Sequence, residues 1–270
     1  MTHAVAHDQP ALLRMRPHIV LSNTLVALAV VWASVIVFDV LVVPVARELP
    51  LWTHLFNNAP VEWAQWFLLA LAVVTAAHLS SSLRADGAIQ PSRFFLLFAI
   101  GTSFMLIEEA GDIRHNLRRL AGAASGYAED SWRVNMMVEA PYFSLLAAIP
   151  LYALFRYGPS IWSSRRTRRY LIGGYGLYGA AAGGSTLRMV GANYATIGAW
   201  IDDRLFGGRW PIPENRPPEA GYFMMVDGPI EESVELVAAA CFLAIVLAYA
   251  HDRQQGQRED ATAAFPEDSV

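Results

Sequence analysis

Long apolar runs separated by short polar stretches set the pattern of this chain. Six runs are each about long enough to cross a membrane as a helix, which takes about 20 residues: Asn23–Ala46, Val61–Leu83, Arg93–Ile113, Glu139–Arg156, Tyr170–Val190 and Gly228–Ala250. The pattern predicts an all-α, polytopic integral membrane bundle of six transmembrane helices over residues 23–252. A polar tail, 1–22, precedes it, and a Gln- and acid-rich tail, 253–270, is expected to be disordered. Pro60 stands near the start of the second span; Asp227 is placed to cap the sixth, with Pro229 in its first turn. The first apolar run, from Thr24, exceeds a signal-peptide core and reads as a retained span.

Composition agrees: 54% of residues are hydrophobic and 16% charged, so the bilayer is the chain's first partner. The net charge of −4 and the lack of a basic domain exclude a nucleic-acid partner. One cysteine, Cys241, excludes a disulfide framework. All 20 basic residues are Arg, and their placement sets the orientation. The loop Ser163-Ser-Arg-Arg-Thr-Arg-Arg169 carries the strongest inside signal, which puts both termini in the cytoplasm and the protein in the plasma membrane. Arg114, Arg118, Arg119 and Arg133 oppose that orientation but stand among acids. The two longest loops, 117–138 and 195–222, then face outside. The second carries Trp200, Trp210, Pro211, Pro213, Pro217 and Pro218, and reads as an interfacial aromatic belt or as an ordered cap. Gly179 and Gly183 permit close helix contact, within the bundle or with a second copy in a homo-oligomer.

With that orientation, each span offers an ionisable group to the outer half of the membrane. Asp39 lies about 22 Å along the first helix. Glu62 opens the second span; Glu108, Glu109 and Asp112 close the third; Glu139 opens the fourth; Arg188 lies in the fifth; Glu231, Glu232 and Glu235 begin the sixth. On a continuous helix Glu108, Asp112 and His115 share one face, which Arg119 extends. Acids in first turns are favoured by the helix dipole, which accounts for Glu62, Glu139, Glu231 and Glu232 without any ligand. The dipole opposes Glu108, Glu109 and Asp112, and Glu235 is too deep for capping. Intramembrane carboxylates of that kind point to function.

Carboxylates with one imidazole suit a hard divalent cation, here Fe, Mn or Zn. Glu108, Asp112, His115 and Glu235 are the first choice of ligands, with Glu139 and Glu231 as further ligands, Glu109 and Glu232 as general bases, and Arg114 and Arg188 as counter-charges. Asp112-x-x-His115 is analogous to half of a bundle di-iron motif, but a second half is missing and His54 is the one spare outer imidazole. The expectation is therefore a metal-dependent membrane-embedded enzyme acting on a lipid-like or small apolar substrate. The alternatives are a cation- or proton-coupled transporter or channel, and a non-catalytic subunit whose acids pair with Arg. The inner histidines His78 and His251 raise haem ligation as a further class.

Overall fold

A computed structural model of the chain describes residues 13, 15–42, 50–56, 60–127, 131–188, 192–213 and 216–264. They form a helical membrane protein, without strands among the described residues. The helices are α1 (Pro17–Val35), α2 (Leu51–Phe56), α3 (Pro60–Ala85), α4 (Ile89–Gly111), α5 (Ile113–Ser125), α6 (Trp132–Tyr157), α7 (Arg165–Leu187), α8 (Asn193–Ile201), α9 (Pro218–Met225) and α10 (Glu231–Ala264). Five of the helical stretches are long and apolar enough to cross a membrane: Pro17–Val42, Leu51–Ala85, Ile89–Gly111, Trp132–Ser160 and Pro218–Gln257. At 23 residues α7, over the expected fifth span, has the length to cross as well. Its glycines keep it below that apolarity, so five of the six expected spans are shown among the described residues and this one is not.

The bundle is built around α10. From Leu236 to Ala248 nearly every side chain is buried, and the helix packs on α1, α3 and α7, while α4 packs on α3 and α6. A helix apolar on every side belongs at the centre. Lipid is as apolar as a core side chain, so close fit rather than hydrophobicity holds such helices together. The fit is supplied by Ala238, Ala239, Ala240 and Ala244 on α10 and by Gly174 on α7, where an added Cβ would lie 2.7 Å from Phe242 Cδ1. Gly179 and Gly183, the expected contact glycines, face open space instead. Phe94 and Phe98 stack with centroids 5.9 Å apart, and Phe98 meets Phe242 edge-on at 5.6 Å.

Several boundaries differ from the sequence expectation. α4 stops at Gly111, because Asp112 is left-handed at φ 47°, ψ 40° and α5 starts at once. Asp is among the few residues besides Gly that tolerate this conformation. Glu108, Asp112 and His115 therefore do not lie along one helix. The expected loop 117–138 is largely helical, and α10 continues as helix to Ala264, where a disordered tail was expected from 253. Residues 265–270 lie outside the described set, as does most of the N-terminal tail.

Three π-helical turns, Ile36–Val42, Asp202–Phe206 and Val226–Ile230, each carry an Asp whose carboxylate bonds elsewhere in the fold. Asp39 accepts from the N–H groups of Leu51 at 3.0 Å and Trp52 at 2.9 Å. Asp202 accepts from the N–H of Trp210 at 2.9 Å. The two tryptophan rings then pack with centroids 5.9 Å apart, beside Trp32, Phe56 and Phe206. Part of the 195–222 loop thus forms an ordered aromatic cap, and Trp210 is buried in it. The third turn joins α9 to α10, so the last helix starts at Pro218. Pro229, which lacks an N–H, sits in the widened turn. Asp227 therefore caps no helix; its carboxylate is turned to Arg188.

One glycine in the cap is under a stringent contact. A Cβ on Gly198 of α8 would collide with the Tyr222 backbone carbonyl of α9, whereas one on Gly176 would meet nothing. Gly198→Ala should destabilise the protein by about 1–3 kcal/mol, and Gly176→Ala should be neutral or slightly stabilising. Thermal unfolding of the two variants in detergent checks this; equal melting temperatures would contradict the packing described.

Candidate functional site

At the end of the bundle where α4 stops and α10 starts lies a polar cavity of about 310 Å³. Eight carboxylates line it: Glu62, Glu108, Glu109, Asp112, Asp227, Glu231, Glu232 and Glu235. Against them stand Arg114, Arg188 and His115, with Trp66, Met224 and Gly228 completing the wall. Of the sequence-predicted ligands and bases, Glu108, Glu109, Asp112, His115, Glu231, Glu232 and Glu235 are brought together here. Glu139 is not; it is fully buried behind the wall. Asp39 lies in the aromatic cap, and His54 is exposed on α2. His78 is exposed on α3, and His251 bonds to the Met15 carbonyl at 3.0 Å.

The structure divides the acids into two sets. Those in the first are matched by cations. Arg188, 2% exposed, donates to Glu139 at 2.6 Å and to Asp227 at 2.6 Å. Arg118 donates to the same Glu139 oxygen at 3.1 Å. Glu108 stands 3.6 Å from Arg114 Nε, accepts from the Arg114 backbone N–H at 3.3 Å, and accepts from the Tyr142 hydroxyl. The break at Asp112 explains how Glu108 is tolerated: it faces the start of α5, where free N–H groups and the dipole favour an anion. Asp112 is the exception: it is exposed and hydrogen-bonded to His115, whose ring burial disfavours as a cation.

Burial first, then Arg114, pushes the His115 pKa below the usual histidine range, against its hydrogen bond with Asp112. Burial also works against the charge of Arg114, but Glu139, Glu231, Glu109 and Glu235 overcome it and hold the guanidinium more firmly protonated than usual. For Arg118 burial and the nearby Arg188 lower the pKa, with Glu139 acting in the other direction. Burial beside Glu231 holds the Tyr194 phenol well above its usual range, so it stays a hydrogen-bond donor.

The second set has neutral partners. Glu109 accepts from the Tyr178 hydroxyl at 3.4 Å, Glu231 from the Tyr194 hydroxyl at 3.0 Å, and Glu235 from Gln65 Nε2 at 3.1 Å. Glu232 Oε2 is buried and has no hydrogen-bond partner. Among the described residues none of these four glutamates forms an ion pair, and no three His, Cys, Asp or Glu side chains are gathered closely enough to hold a metal ion as they stand. The expected ligands Glu108, Asp112 and His115 thus have partners of their own, and the carboxylates without an ion pair belong to α4 and α10. Sequence reasoning missed Gln65, Tyr178 and Tyr194; lone polar residues in apolar or aromatic surroundings were the available signal.

Below the cavity the bundle is apolar. Leu69, Ala72, Met105, Phe98, Ala239 and Phe242 fill the next layer, and the polar groups beyond it are satisfied locally, Thr75 by Leu71 O at 2.6 Å and Ser80 by Ser92 O at 2.8 Å. Against protein-family models, curated proteins and solved structures, the chain has no match.

The Arg188 network should hold α6, α7 and the start of α10 together. Removing one member of a buried ion pair costs about 3–5 kcal/mol, since a charge is left without its partner. Arg188→Met should therefore lower the denaturant midpoint sharply, and adding Glu139→Gln and Asp227→Asn should restore much of it. Denaturant titration in detergent reads both effects; a single variant as stable as the parent would show that the network does not hold the helices.

Proposed function

We propose that this is a cation-dependent, membrane-embedded enzyme whose chamber works from one face of the membrane on a lipid-like substrate. One observation carries the reading: Glu109, Glu231, Glu232 and Glu235 line a single cavity without an ion pair of their own, and the one guanidinium that acts on three of them, Arg114, cannot balance them all. Burying several ionised carboxylates in a low-dielectric site is strongly unfavourable unless cations or protons compensate. The donors are oxygens throughout, which suits a hard divalent ion such as Mn better than the softer Fe or Zn. The orphaned buried oxygen of Glu232 is the group such an ion would satisfy.

Glu109, Glu232 and Glu235 would have to draw together to hold the ion, with Glu231 beside them, since they are not gathered closely enough as they stand. When bound, a divalent cation supplies Lewis-acid polarisation of a substrate oxygen or an acidified water. The chain's own groups have separable tasks. Gln65 orients Glu235, and Tyr178 orients Glu109. Arg114, held by Glu108 and Ser185, brings positive charge to the wall where an anionic intermediate would need it. On the positive-inside expectation the chamber faces outward. Cation- or proton-coupled transport is the second reading, favoured by the same acids. The apolar layer under the chamber, with its locally satisfied Thr75 and Ser80, weighs against it.

The test is metal content, by mass spectrometry, of protein purified in detergent. A near-stoichiometric divalent ion is expected in the parent and in Asp39→Asn, and its loss in Glu232→Gln and Glu235→Gln. Gln65→Leu, which frees Glu235, should weaken binding by roughly 10–100-fold, as for other groups that orient ligands. A folded parent that takes up no divalent ion, even when it is supplied, would overturn the enzyme reading and leave transport to be tested by flux in liposomes.

A further inference from the structure

A second cavity, of about 130 Å³, lies between α6 and α7 and is apolar except for its tyrosines. Phe143, Leu146 and Pro150 of α6 line one side, Tyr178 and Gly179 of α7 the other, and Phe242 of α10 the back. The packing explains why it stays open. Pro150 lies tight against Gly101, where an added Cβ would be 2.9 Å from its Cδ, which ties α6 to α4. Gly174 ties α7 to α10 in the same way, through Phe242. The two helices are thus held to different neighbours, and nothing lies within 4 Å of a Cβ placed on Gly176, Gly179 or Gly183. Tyr175 closes the cleft at one end by donating to the Pro150 carbonyl at 3.1 Å.

The cleft and the acidic chamber share a wall. Tyr178 lines the cleft, and its hydroxyl donates to Glu109, which lines the chamber. Phe143 lines the cleft, and the Arg114 guanidinium of the chamber sits over its ring at 5.2 Å. An apolar slot in the membrane-spanning part of the bundle therefore ends at a hydroxyl, a carboxylate and a guanidinium.

We infer that this cleft seats one hydrocarbon chain of the substrate lipid and delivers its polar end to the chamber at Tyr178, Glu109 and Arg114. The inference rests on the enzymatic reading and adds the substrate's shape to it, a lipid with at least one free chain. The occupant follows from size and medium. The slot is too narrow for a helix, which is about 10 Å across. Its apolar lining gives water too few partners to stay. The surrounding medium is hydrocarbon.

The test is photolabelling of the full-length protein in phosphatidylcholine liposomes doped with a phospholipid that carries a diazirine on one acyl chain. Adducts are mapped by peptide mass spectrometry. Peptides covering 143–151 and 175–182 should label in a saturable manner at low mole fraction, and an unlabelled single-chain lipid should compete the label out. The exposed residues Val26 and Val30 of α1 provide the comparison, since ordinary lipid contact rises linearly and is not competed. Gly179→Trp, which puts a side chain into the open slot, should cut the saturable labelling by about tenfold, the loss expected from displacing a few methylenes. Ala182→Trp, on the same wall, is the second variant.

Linear, uncompeted labelling of the cleft peptides in the parent would overturn the inference whatever the variants do. Metal content, measured on the same parent, separates the two claims. Saturable labelling without a bound cation upholds the cleft and sinks the enzyme reading. A bound cation with only linear labelling sinks the cleft alone.

Discussion

The acids at the start of α10 depend on a balance of charge around one cavity. They stand on the most buried helix of the bundle, where the next turns, Leu236 to Ala248, pack tightly on three neighbours. Arg188 and Arg118 hold Glu139, and Arg188 also holds Asp227. Arg114 faces Glu108. These pairs join α4, α5, α6, α7 and the turn before α10, and Arg114 also acts at longer range on Glu231, Glu109 and Glu235. The remaining glutamates are left with tyrosines, one amide and an unpartnered oxygen. A structural ion-pair cluster would have no reason to keep four such groups facing one space, since apolar side chains of similar size would pack there at lower cost.

Irregular backbone makes this arrangement possible. The left-handed Asp112 ends α4 one turn after Glu108 and sets the start of α5 against it, so that a carboxylate opposed by one helix is favoured by the next. The π turn at Val226–Ile230 lets α9 run into α10 through Pro229 and points Asp227 at Arg188. Single π turns inside helices often mark functional sites. The turns at Asp39 and Asp202 do different work: each fixes the backbone N–H of a tryptophan and so builds the aromatic cap.

The helical membrane class and the convergence of the acids were legible in the sequence, because apolar runs of sufficient length and charges within them have few physical solutions. Depth along the spans was enough to bring Glu62, Glu108, Glu109, Asp112, Glu231, Glu232 and Glu235 to one cavity. What depth could not supply was pairing. Periodicity assumes an unbroken helix, so the left-handed Asp112 made Glu108 and His115 look like neighbours on one face. Glu139 looks like a ligand in the sequence because its two guanidinium partners come from residues distant in the chain. Asp39 looks like a lone intramembrane acid in the sequence because a bond to backbone N–H groups leaves no trace in composition. Spacing singles out Gly179 and Gly183, whereas within the chain the close approaches fall at Gly101, Gly174, Gly184, Gly198 and Gly221.

The most direct test of a chamber whose carboxylates outnumber its cations is calorimetric titration of the metal-free protein with Mn(II) in two buffers of different ionisation enthalpy. The account predicts saturable, near-stoichiometric binding whose apparent heat differs between the buffers, because protons leave the carboxylates as the ion comes in. It also predicts that both effects vanish in the Glu232→Gln, Glu235→Gln double variant. A folded protein that gives no saturable heat, or a double variant that binds as the parent does, would contradict it.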